Sequence, residues 1–71
     1  MDHDNPHLKD LRAARAQAVA ERRSVSKALS EGYKGSHTEN MRAGLITVQN
    51  AIEAIDRAIA DEERLMRESA G

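Results

Sequence analysis

Cysteine is absent from the 71 residues, so disulfides, thiolate metal sites and cysteine catalysis are all excluded. Tyr33 is the only aromatic side chain, which removes the interleaved rings that stack on single-stranded bases. No window approaches the roughly 18 consecutive apolar residues that a membrane span needs. Neither sign of charge dominates: 11 Lys and Arg stand against 12 Asp and Glu, a net charge of -1, without the positive field of a typical nucleic-acid binder. The opening MDHDNPHLKD is acidic and polar with no apolar run behind it, unlike a signal or transit peptide, and the expected location is cytoplasmic.

A chain this short buries only about 60% of the surface that its unfolded form exposes. Without disulfides or a structural metal, self-association is the ordinary way to reinforce so thin a core. One domain covering 1-71 is expected.

Proline occurs once, at Pro6, directly after Asn5, and that pair reads as an N-cap followed by the first helical position. From His7 to Ser30 nothing breaks a helix, so helix 1 is expected over about 6-31. Gly32 sits where a left-handed C-cap belongs, and Ser36-His37-Thr38-Glu39 has the spacing of a capping box. The stretch SEGYKGSHTEN therefore reads first as a stop, a turn over 32-37 and a restart. Helix 2 follows over about 38-68 with a single glycine and no proline.

Helix 2 carries a heptad: Leu45, Ile52, Ile59 and Met66 repeat at one position, Met41, Val48, Ile55 and Glu62 at the other. A third row, Gly44, Ala51, Ala58 and Leu65, widens the apolar stripe to three positions in seven, the pattern of a helix inside a bundle. In the matching register helix 1 reads Leu8, Leu11, Arg15, Ala18, Arg22, Val25, Leu29, with two arginines where leucine would pack better. Residues 8-30 hold six basic and two acidic groups, net +4; residues 39-68 hold four and seven, net -3. Opposite charge and a short turn predict an all-α antiparallel hairpin, with Arg15 level with Asp56 and Arg22 level with Val48 and Gln49. Two such hairpins pairing into a four-helix bundle would cover what one leaves wet.

Candidate sites are few. Met1-Asp2-His3 places an imidazole third from an amine, a geometry that can wrap Cu(II) or Ni(II), but one short motif at a chain end reads more simply as a frayed terminus. No metal or cofactor is expected. No arrangement of acids, serines and histidines implies the shaped pocket that a catalytic base requires, so no enzyme is expected. The basic stripe of helix 1, Lys9, Arg12, Arg23 and Lys27 with Arg15 and Arg22, could meet phosphates, yet a charge run is usually a solvated or complementary face.

Two short resemblances exist. Tyr33-Lys34-Gly35 between helices resembles the turn of the secreted Trp-x-Gly helical-hairpin proteins, with Tyr for Trp and no later tyrosine for secretion. LKDLRAARAQ resembles the first helix of small phage head-tail joining proteins, without the alternation of their β-hairpin afterwards. Neither implies a function by itself.

The reading is a non-enzymatic protein-protein interaction module, self-associating as a dimer and acting as a small regulator that binds another protein. Leu45, Val48, Ile52, Ile55, Ile59 and Met66 form the association seam, and Arg15, Arg22, Arg12 and Tyr33 are the partner-contact candidates. The alternative is a small assembly subunit, such as a phage virion or head-tail component, and a third reading is nucleic-acid association through helix 1.

Overall fold

The computed structural model describes residues 5-32 and 37-70. Two helices account for them: α1, Pro6–Ser30, and α2, Thr38–Ala70, packed against each other as a hairpin. The Asn5 side chain accepts from the backbone N–H groups of His7 (2.9 Å) and Leu8 (3.2 Å), satisfying two donors that the first turn would otherwise leave unpaired. Pro6 has no N–H to satisfy and its fixed φ suits the first helical position.

The stop also forms as the sequence requires. Glu31 N–H donates to the Lys27 carbonyl (3.1 Å) and Gly32 N–H to that of Leu29 (3.1 Å), while Gly32 itself adopts φ 76°. That left-handed conformation crowds a Cβ against the backbone, which is why glycine stands there. α2 opens with Met41 N–H donating to the His37 carbonyl (2.9 Å) and runs two residues beyond the expected end. Ser36, the expected capping-box residue, lies outside the described residues.

Packing follows the heptad. Ala18 of α1 meets Val48 and Ile52 of α2, with Val19 and Leu45 against them, and Ile52 is only 2% exposed. Leu8 is buried nearer the open end. The other seam residues, Leu11, Val25, Leu29, Met41, Ile55, Ile59 and Met66, are half-buried. Alanine at the contact lets the helices approach closely but covers little area, so one hairpin cannot dry the whole stripe. The result is a rod, 55 Å long and 17 by 13 Å across.

Candidate interaction surface

The two long edges of the hairpin differ in chemistry. In an antiparallel pair the positions just outside the seam line either edge, and on one edge arginines of α1 reach across to α2. Arg12 Nη2 lies 3.1 Å from Glu63 Oε2, and Arg15 donates through Nε to Asp56 Oδ1 (2.5 Å) and through Nη2 to Oδ2 (3.3 Å). Arg22 Nη1 donates to the amide oxygen of Gln49 (2.9 Å), whose nitrogen donates in turn to Glu53 (3.1 Å). At the open end Asn5 Nδ2 reaches Glu62 at 3.5 Å.

The hydrogen bond from Arg15, helped by its charge, holds the Asp56 carboxyl below its usual range against the opposing effect of burial, and Asp56 in turn raises Arg15. Both side chains remain more than two-fifths exposed, so the pair orients more than it stabilises. Arg64 bonds Asp61 and Glu68 along α2, which raises its pKa; these pairs are local helix support.

The placement of the sequence candidates is now visible. Arg15 and Arg12 spend their charge on α2 of the same chain. Arg22 has a neutral amide as its partner and no ion pair among the described residues. Tyr33 and His3 lie outside the described residues. Val48 and Ile52 are covered by α1, while Leu45, Ile55, Ile59 and Met66 are covered only in part. Sequence reasoning missed Glu63 as the acceptor of Arg12, and it set Gln49 level with Arg22 without assigning the hydrogen bond that the amide accepts.

The opposite edge carries the third row: Gly44 and Ala51 are exposed, Ala58 half-buried and Leu65 42% exposed. Its α1 counterpart is Ala14, Glu21 and Ala28. Elsewhere on α2, Ile46 is 63% exposed. A shallow groove at the open end, lined by Leu8, Arg12, Glu63, Met66 and Arg67, lies open to solvent, so nothing in its shape would hold water away from a reacting group. Among the described residues no group of three or more His, Cys, Asp or Glu is placed to hold a metal ion, and no helix is long and apolar enough to cross a membrane.

Compared with family models, with curated proteins and with solved structures, the chain matches none.

Proposed function

We propose that the chain is a non-enzymatic interaction module that self-associates as a dimer of hairpins, giving a four-helix bundle, and acts by presenting helix faces to another protein. The observation that carries this reading is the incomplete cover of α2. Val48 and Ile52 are buried within one chain, but Leu45, Ile55, Ile59 and Met66 are half-buried and Leu65 and Ile46 stand in solvent. Apolar area contributes about 25 cal/mol per Å² when removed from water, so several such side chains drive association by a few kcal/mol. Arg22, whose internal partner is a neutral amide, keeps its charge for an acidic group of the regulated protein, in the cytoplasmic setting that the proposal assumes.

Sedimentation equilibrium tests the first step. Mass should rise with concentration from 7.8 kDa to twice that value, and melting temperature should rise with concentration as well. A fully helical monomer at every concentration would reject the proposal, and assemblies growing past the dimer would favour a structural subunit over a regulator.

A further inference from the structure

The edge of the hairpin away from the arginine ladder is self-complementary. Its α2 row runs Gly44, Ala51, Ala58, Leu65 at intervals of seven, small at one end and large at the other. A Cβ built on Gly44 meets nothing within 4 Å, so the backbone there is bare toward solvent, while Leu65 projects three heptads, about six turns, away without full cover. If a second copy of α2 is laid antiparallel about the midpoint of the row, Leu65 of each copy comes opposite Gly44 of the other, and Ala51 opposite Ala58. We infer that this face is the dimer contact, formed α2 on α2 with the loops at opposite ends and Leu65 seated over Gly44. The inference rests on the self-association proposed above and specifies its face and register.

Charge and area support the same arrangement. Between Gly44 and Ala58 the face of α2 on this side, Gly44, Thr47, Ala51, Ala54 and Ala58, is uncharged, whereas the neighbouring α1 face carries Asp10 and Glu21. Arg15 pairing with Asp56 makes α1 residue i level with α2 residue 71-i. Stacking α1 on α2 of a second copy about an axis along the rod would therefore set Asp10 beside Asp61. The α2-on-α2 register instead keeps the two Glu21 carboxylates about nine residues of rise apart, roughly 13 Å and beyond the Debye length of about 8 Å at physiological salt. Antiparallel α2 helices also oppose their dipoles favourably. The broad side of the rod, α1 included, has an outline of roughly 900 Å² from its 55 by 17 Å extents, so reaching the ~800 Å² per partner of a standard interface requires α1 to stack on α1 beside the α2-on-α2 contact. Small residues along it allow the close helix approach, about 8 Å, that such contact needs.

The test is a size swap. In sedimentation, Gly44→Leu should weaken dimerisation at least tenfold while far-UV circular dichroism keeps the helix content, since position 44 is exposed and a Cβ there meets nothing within 4 Å in the lone hairpin. Gly44→Leu combined with Leu65→Ala should restore it by moving the knob to the other end. Because the chain has no cysteine, a double variant Ala51→Cys with Ala58→Cys should oxidise to a dimer linked 51 to 58, whereas Ala51→Cys alone should not, its two sulfurs being a whole heptad apart. If Gly44→Leu loses helix content, the cysteine pattern decides by itself. A wild-type chain that dimerises with Gly44→Leu unaffected, or an Ala51→Cys chain that links readily to itself, overturns this face or register while leaving self-association standing. A wild-type monomer at all concentrations removes both.

Discussion

Arg15 and Arg22 occupy equivalent seam positions and do different things. Arg15 ends in a two-point bond to a carboxylate; Arg22 ends on an amide. The difference has a pH signature. Asp56 is held below its ordinary value by Arg15, so the pair contributes fully above the unfolded carboxylate pKa of about 3.9 and is lost as pH falls through the lower folded value. Melting temperature should stay flat from pH 7 to 5 and decline below about pH 4, and the Asp56→Asn chain should decline less over the same window. High salt should flatten the difference, because the pair is exposed. An identical acid profile for the two chains would show that the pair does not report on folding.

Elements are decided by their ends. α1 starts on a side chain that accepts two backbone N–H groups and stops on a glycine at φ 76°, and each end has a local cause readable before any fold is considered. Gly32→Val should destabilise the hairpin by about 1–2 kcal/mol, measured by urea unfolding, although a Cβ there would meet nothing within 4 Å; the penalty comes from the left-handed backbone. No loss would mean that the turn relaxes. Such end signals, with the heptad, made both helices, their antiparallel packing and the Arg15–Asp56 pair legible from sequence, because each depends on short-range chemistry or on a fixed register. Arg12–Glu63 was less legible, because Arg12 lies outside the seam that was followed, and Arg22 was set level with Gln49 for want of a counter-charge, without the amide being read as its acceptor. The third row was read as apolar, but its exposure depends on how far α1 wraps, which periodicity does not encode.

At the scale of the whole molecule the buried set among the described residues is small: Leu8, Ala18, Val48 and Ile52. Four side chains cannot divide into independent units. Most of the stability of amphipathic helices in proteins comes from packing their apolar faces, so releasing α1 also removes what holds α2. Amide protons at Ala18 and Ile52 should therefore exchange with deuterium at one common rate set by global opening, rather than at two rates reporting separate foldons. Under the dimer proposal that rate falls as the protein is concentrated; a rate indifferent to concentration would mean the hairpin is held up by itself. Under the same dimer proposal the thin core turns abundance into lifetime. A protease that cuts only opened chains would clear the protein fastest when it is scarce, so its steady level in a cell would rise more steeply than its rate of synthesis.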